Sequence, residues 1–101
     1  MVADIPSKPL RLPANGQVVI PRRMREQLGW TEGTELVPEL REGAVFIRAA
    51  AADDERTTRL SPNGQFVLPL PMRTKLGWEP QQFLLSELAD DGVLFRSLSI
   101  P

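Results

Sequence analysis

The side chains best suited to bind a ligand in this chain are arginines, and they are concentrated in two short segments. Residues 11–30 hold four arginines against one acid, Glu26, and residues 59–78 hold three basic residues and no acid, so each segment carries +3. The segments that follow are acidic, at −2 for residues 31–48 and −3 for residues 79–96. Local charge sets what a surface attracts, whatever the net charge of −1. The pattern therefore favours anion binding by the two basic segments.

Composition argues against other kinds of chemistry. The chain has no Cys and no His, which removes disulfides, thiol nucleophiles, imidazole bases and the usual zinc ligands. Its acids form no paired-carboxylate arrangement, and no glycine-rich or serine-based motif accompanies them. We therefore expect no enzyme activity, no catalytic residue, no metal and no cofactor. The sequence also lacks a leader-like segment and an apolar run of about 18 residues, so we predict a cytoplasmic protein without a membrane partner.

The two basic segments are copies of one unit. Aligned at a constant offset of 48 residues from Arg11/Arg59 to Arg48/Arg96, 17 of 38 pairs are identical. A copy this short is below the roughly 40 residues at which an isolated domain usually needs disulfides, metal or a partner, so the copies must share a core. The predicted organisation is a flexible tail at 1–9, a first repeat at 10–48, a linker at 49–57 and a second repeat at 58–101, with 10–101 forming one globular domain.

Each repeat begins with two predicted strands. Alternating apolar and polar residues over 10–13 indicate a half-buried strand, and Asn15-Gly16 is the dipeptide best suited to a tight hairpin turn. Residues 17–20 are then the returning strand. The corresponding turn in the second repeat is Asn63-Gly64.

A short helix is predicted next. Pro21 suits a first helical position and Gly29 suits the left-handed residue that ends a helix, which gives about two turns over 21–28. Met24 and Leu28 share the buried face of that helix, so we expect its arginines to point outward.

Two further strands complete the repeat. Residues 35–40 and 44–48 are predicted to pair around the turn at 41–43. Each unit is thus ββαββ, and the fold class is mainly β with two short helices. The acidic, alanine-rich linker is predicted to be a solvated connection, with a short helix as the alternative.

The motif of the first repeat resembles that of a known family. Residues 16–21, Gly-Gln-Val-Val-Ile-Pro, with the Arg-Met-Arg and Leu-Gly-Trp that follow, are similar to the DNA-binding motif of the SpoVT/AbrB-like (MazE-type) swapped-hairpin regulators and antitoxins. The resemblance spans almost all of residues 10–48 and returns, weaker, in 58–96. It implies that two ββαββ units interleave into one small barrel with one basic DNA-contacting face. Because both units lie in one chain, it implies a covalent pseudo-dimer, either monomeric or further self-associating.

The resemblance also implies which residues contact DNA. Two glutamines, Gln17 and Gln65, stand where the family often has arginine, and Leu70 and Pro71 replace the first repeat's Arg22 and Arg23. The implied DNA-binding set is Arg11, Gln17, Arg22, Arg23, Arg25, Arg59, Gln65, Arg73 and Lys75. Trp30 and Trp78 are instead expected to pack against the ends of the helices.

Three functions remain open from the sequence. The first is a transcriptional regulator of the AbrB type that binds double-stranded DNA. The second is an antitoxin-type autoregulator with a toxin protein as its partner. It is a weaker expectation than the first, because the family's antitoxins usually carry a toxin-wrapping tail beyond the barrel and only residues 97–101 follow Arg96 here. The third is a protein-interaction module that has lost DNA binding, suggested by Leu70 and Pro71.

Overall fold

The computed structural model describes residues 9–98, and in it each repeat forms ββαββ. The predicted mainly β fold with two short helices is confirmed. Of the predicted tail at 1–9, residues 1–8 lie outside the described part, and Pro9 begins the first strand. The elements are β1 (Pro9–Arg11), β2 (Gln17–Val19), α1 (Arg22–Leu28), β3 (Glu35–Arg41), β4 (Ala44–Ala49), β5 (Thr58–Arg59), β6 (Gln65–Val67), α2 (Leu70–Leu76), β7 (Phe83–Leu88) and β8 (Gly92–Ser97).

The strands form a six-stranded sheet and a separate two-stranded ribbon. The order in the larger sheet is β1-β7-β8-β4-β3-β5, and the ribbon pairs β2 with β6. All of these pairings are antiparallel. Because β1 pairs with β7 and β5 pairs with β3, each repeat supplies an edge strand to the other repeat's half of the sheet.

The sequence predicts two hairpins in the first repeat. The structure confirms the one formed by β3 and β4, and the predicted hairpin of β1 and β2 is wrong. β3 and β4 pair around the predicted turn, with Arg41 opposite Ala44. The turn before β2 also forms, with Gly16 at φ +78, a left-handed conformation that glycine adopts readily. However, β1 and β2 do not pair with each other: β2 pairs with β6, which buries Val18 beside Phe66 in the shared core.

The strand pairings have an internal two-fold relationship. Val18 lies opposite Phe66, and Phe46 lies opposite Leu94; in both pairs the partners stand at equivalent positions of the two repeats. Arg11 lies opposite Phe83, and the equivalent Arg59 lies opposite Glu35. The sequence repeat is therefore reproduced as a repeat of strand pairing about an axis through the ribbon and the centre of the large sheet.

One hydrophobic cluster joins the two repeats. Side chains such as Ile20 and Leu68 are fully buried at equivalent positions in it. Burying a side chain of this size contributes about 1.5–3 kcal/mol relative to leaving it exposed. The cluster includes Trp30 and Trp78, which are only 7% and 8% exposed, so their predicted packing is confirmed. Met72 is partly buried, whereas its equivalent Met24 is fully buried.

The helices begin one residue later than predicted and end as predicted. Pro21 caps α1 with φ −53 and ψ 139, an extended conformation rather than a first helical one, and Pro69 caps α2 in the same way. The reason is that the chain enters each helix directly from an extended strand. Pro71 lies within the first turn of α2, where no helical partner for its missing N–H is needed. Gly29 ends α1 at φ 73.

Asp54 helps to anchor the connector between the repeats. Asp54 accepts hydrogen bonds from Arg48 Nη1 at 2.8 Å and from the backbone N–H of Ala51 at 2.7 Å. Arg48 Nε also donates to Glu39 at 2.7 Å. The guanidinium of Arg48, with the help of the Ala51 N–H, lowers the pKa of Asp54 to about 2. The connector thus forms an exposed turn fixed by Asp54, without the helix considered as an alternative.

Candidate nucleic-acid interface

The β2–β6 ribbon lies at the centre of the candidate interface. Its inner face buries Val18 and Phe66, so the alternating residues of both strands face outward. On this outer face Gln17 lies opposite Val67 and Gln65 lies opposite Val19. The valines are 46% (Val19) and 39% (Val67) exposed. The ribbon therefore presents two amides and two isopropyl groups in two equivalent cross-strand pairs.

The two glycine turns are joined to the ends of this ribbon. The N–H of Ile20 donates to the carbonyl of Gly64 at 2.9 Å, and the N–H of Leu68 donates to the carbonyl of Gly16 at 2.9 Å. Each turn is thus hydrogen-bonded to the residue that follows the ribbon strand of the other repeat. This arrangement brings both motifs, which are far apart in the chain, into one continuous surface region.

Arg25 and Arg73 connect the helices to these turns. Arg25 Nε donates to the carbonyl of Ile20 at 2.8 Å, and Arg73 Nε donates to the carbonyl of Leu68 at 2.9 Å. Each guanidinium lies so close to the opposite turn that a Cβ on Gly64 or Gly16 would fall less than 3 Å from it. The expectation that all helix arginines point outward is therefore wrong for Arg25, because an unpaired backbone carbonyl attracts its guanidinium.

The basic residues at the start of α1 point into solvent. Arg22 and Arg23 are exposed, and Arg22 makes only an i,i+4 ion pair with Glu26 at 3.5 Å. Exposed pairs of this kind contribute at most about 1 kcal/mol, so they leave the arginine available to another anion.

The corresponding surface of α2 is different. Leu70, which stands where α1 has Arg22, is 62% exposed. Pro71, in the place of Arg23, is exposed as well, and the exposed Lys75 supplies a charge further along the helix. The two helices thus present unequal charge at equivalent positions.

The strand arginines of the predicted set lie at the two edges of the large sheet. Arg11 on β1 is exposed, with its Cζ 4.7 Å from the centroid of the Phe83 ring. Arg59 on β5 is exposed opposite Glu35. These two residues therefore occupy equivalent places with different neighbours, an aromatic ring in one case and a carboxylate-bearing residue in the other.

The two glutamines are held differently by their turns. Gln17 Oε1 accepts a hydrogen bond from Asn15 Nδ2 at 3.3 Å, and the backbone N–H of Gln17 donates to Asn15 Oδ1 at 3.1 Å. In the second repeat the backbone N–H of Gln65 donates to Ser61 Oγ at 2.8 Å. Both side chains are half-buried at the ribbon.

Ion pairing distinguishes most of the predicted set from Arg41, Arg48 and Arg96, although Arg56 outside the set also makes no ion pair within residues 9–98. Within residues 9–98, the set contains six members with no carboxylate within 4.0 Å: Arg11, Arg23, Arg25, Arg59, Arg73 and Lys75. By contrast, Arg41 and Arg48 both pair with Glu39, and Arg96 pairs with Glu87. Positive charge that is not neutralised within the described part of the chain is therefore concentrated in the motif halves.

The exposed valines of the ribbon were not among the predicted site residues. Strand alternation carries the signal that would have found them, because a buried Val18 places Val19 on the opposite face.

The described residues contain no group of three or more metal-ligating side chains. Among the helices of residues 9–98, none has the length and apolar character needed to cross a membrane.

Comparison with known families bears on the first repeat. Residues 10–50 match the family model MazE_antitoxin, described as antidote-toxin recognition MazE, bacterial antitoxin. The first repeat thus matches a MazE-type family. This confirms the resemblance stated from residues 10–48, while the second repeat lies outside the matched segment. Comparisons with curated proteins and with solved structures give no significant match.

Proposed function

We propose that this protein binds duplex DNA as a transcriptional regulator of the AbrB type, using a surface built from both repeats. The observation that carries the proposal is the joining of the two motifs at the β2–β6 ribbon, with unneutralised basic side chains on both sides of it. The match of residues 10–50 to a MazE-type family supports the same kind of function.

In this proposal, phosphate contacts supply most of the affinity. The exposed Arg22, Arg23 and Lys75 bind the backbone from the two helices, and Arg11 and Arg59 bind it from the sheet edges. Such contacts fix the protein on the duplex without reading its sequence. The acidic halves repel the duplex and so favour one orientation of the protein on it.

The two arginines that lie against the turns, Arg25 and Arg73, have a positioning role in this proposal. Arg25 and Arg73 each donate to a backbone carbonyl of their own repeat, lie against the glycine turn of the other repeat, and keep part of their surface open to solvent. They therefore position the ribbon, whose side chains approach the bases. Base readout then falls to ribbon residues such as Gln17 and Gln65, since amides pair well with adenine edges.

A second candidate, the antitoxin-type autoregulator, is favoured by the description of the matched family as recognising a toxin. Leu70 offers an observation on this chain's own surface, because a leucine that is 62% exposed on α2 suits a protein contact better than a phosphate contact. The same residue supports the interaction-module alternative. In either case the partner is a protein that covers α2.

The decisive experiment is selection of bound fragments from a pool of random duplex DNA at low salt, followed by affinity measurements against salt. If about four to six phosphates are neutralised, log affinity should fall with log salt at a slope of about −4 to −5.

The matched control compares two double variants. Arg23→Ala with Lys75→Ala removes unpaired charges and should reduce the slope by about 2. Arg41→Ala with Arg96→Ala removes ion-paired charges in the acidic halves and should leave the slope unchanged. No enrichment of any duplex at low salt would overturn the proposal and favour the protein-interaction alternative.

A further inference from the structure

The outer face of the ribbon combines two kinds of side chain in a fixed pattern. Each of its two outward cross-strand pairs, Gln17–Val67 and Gln65–Val19, joins one amide to one branched apolar group. Isolated exposed valines are common on protein surfaces. These two, however, stand at equivalent positions of the repeats, and each is more than one-third exposed beside a glutamine.

This pattern matches the major-groove edge of an A·T base pair. Adenine presents the N7 acceptor and the N6 donor, which a glutamine amide satisfies with two hydrogen bonds, and thymine presents a C5-methyl group that makes apolar contacts. Directly opposite side chains on antiparallel strands have Cβ atoms about 4.5–5.5 Å apart, so one pair spans neighbouring groups on a base-pair edge. The major groove also admits a two-stranded ribbon.

We propose, on the basis of the proposed DNA binding, that the β2–β6 ribbon selects A·T base pairs. Val19 and Val67 contact thymine methyl groups, and Gln17 and Gln65 read adenines. The valines are diagonal neighbours on the ribbon, which places them about 7–8 Å apart. That separation corresponds to about two base steps of 3.4 Å. The two thymines therefore lie about two base pairs apart, at the centre of the site.

The turns prepare one glutamine for this role. Asn15 Nδ2 donates to Gln17 Oε1, which orients the amide and leaves its Nε2 to donate to a base. Gln65 receives no such contact from a side chain in residues 9–98, so its amide turns more freely. The Gln17–Val67 pair is the better preorganised of the two.

The test uses the full chain and the preferred duplex obtained by selection from random sequences. Each central thymine is replaced by deoxyuridine, which removes only the C5-methyl group and keeps base pairing. We expect each replacement to weaken binding about three- to fivefold, the size expected for losing one buried methyl group. Deoxyuridine at a thymine outside the centre, in the same duplex, should have no effect.

Variants assign the effect to the valines. Val19→Ala with Val67→Ala should bind the thymine and deoxyuridine duplexes equally, because the apolar contact has been removed from the protein side. Since both valines are exposed, thermal unfolding should show that the double variant keeps its fold. Val19→Thr with Val67→Thr, which keeps the branched shape and one methyl per side chain, should retain part of the discrimination.

The outcomes separate this inference from the function on which it rests. Failure to bind any duplex would overturn both. Salt-dependent binding to a selected site without central A·T pairs, or equal binding of thymine and deoxyuridine duplexes by the unmodified protein, would overturn the ribbon inference and leave the DNA-binding proposal intact.

Discussion

Arg25 of the first repeat lies across Gly64 of the second, close enough that any side chain at position 64 would collide with its guanidinium. Its Nε meanwhile donates to the carbonyl of Ile20, the residue that leaves the ribbon. Arg73 and Gly16 repeat the contact on the other side. An arginine in the middle of the basic motif therefore has a structural role, holding the two repeats' turns against each other's helices.

Replacing Arg25 should lower stability. In Arg25→Ala the carbonyl of the buried Ile20 loses a charge-assisted donor, and we expect a loss of about 1–2 kcal/mol in the free energy of unfolding. Arg23→Ala is the matched control, because Arg23 is exposed two residues away and should change stability by less than about 0.5 kcal/mol. Urea unfolding measures both. Equal stabilities of the two variants would show that the Arg25 contact contributes nothing to the fold.

The unequal helices allow an exchange experiment. Arg22→Leu gives α1 the residue found in α2, and Leu70→Arg gives α2 the residue found in α1. Both positions are exposed, so neither change should disturb the core. We expect Arg22→Leu to weaken duplex binding and reduce the salt slope by about 1, and Leu70→Arg to do the reverse.

The measurement is affinity at several salt concentrations, with the exchanged double variant as control. The double variant should bind about as tightly as the unmodified chain while preferring the opposite orientation, related by the two-fold axis, on an imperfectly palindromic site. If Leu70→Arg leaves both affinity and salt slope unchanged, α2 does not approach the backbone, and the second repeat makes no phosphate contact at that position.

The connector should give a pH-dependent contribution to stability. Arg48 lowers the pKa of Asp54 to about 2, below its ordinary value of 3.8. A carboxyl group whose folded pKa is depressed contributes its stability above the unfolded pKa and loses it as the pH falls through the folded pKa. Stability should therefore decline as the pH falls from about 4 to about 2.

Asp54→Asn isolates this effect. The variant should be less stable than the unmodified chain near pH 6, and the difference should shrink as the pH falls below about 4, with most of it lost by about pH 2, where Asp54 is half protonated. Glu39, whose pKa is also lowered by Arg48 and Arg41, keeps part of the pH dependence in both proteins. Asp53→Asn is the control, since Asp53 is exposed and makes no ion pair in the described part of the chain. A constant difference across the range would contradict the assignment to Asp54.

Separating the repeats should show that neither is complete. A fragment of residues 1–52 contains β1 without its partner β7, and β2 without β6. We expect it to self-associate into a symmetric dimer or to remain largely unfolded, because a unit of this length does not offset its chain entropy alone. Sedimentation with circular dichroism distinguishes these states. A folded monomer would show that the pairing between repeats is dispensable.

Local signals in the sequence predicted much of this fold. Gly16 and Gly29 mark a turn and a helix end because their left-handed conformations are set by neighbouring residues alone. The four-residue spacing of Met24 and Leu28 likewise predicts a helix with a buried face from nearby residues alone. Pairing of β2 with β6 is different, since it joins residues that are remote in sequence, and residue patterns alone favoured a local hairpin instead.

The candidate site likewise has features that the sequence predicts and features that it does not predict. Clustering of Arg22 and Arg23 against a single acid is visible in composition, and their exposure follows from helical periodicity. The placement of Arg25 does not follow from the sequence, because the side chain bonds to a backbone carbonyl and lies against a turn of the other repeat. The anchoring role of Asp54 also depends on where a distant strand places Arg48.

The pairing of β1 with β7 also constrains when the chain can fold during synthesis. Pro9 is synthesised well before Leu85, and its strand has no partner until Leu85 has been made. Contacts between residues this far apart slow folding, because loop-closure entropy is lost before the contacts form. Because the two repeats share one core, we expect the first repeat to expose apolar residues to chaperones and proteases until the second repeat is translated. Cellular levels of the protein are therefore expected to respond to translation of its second half.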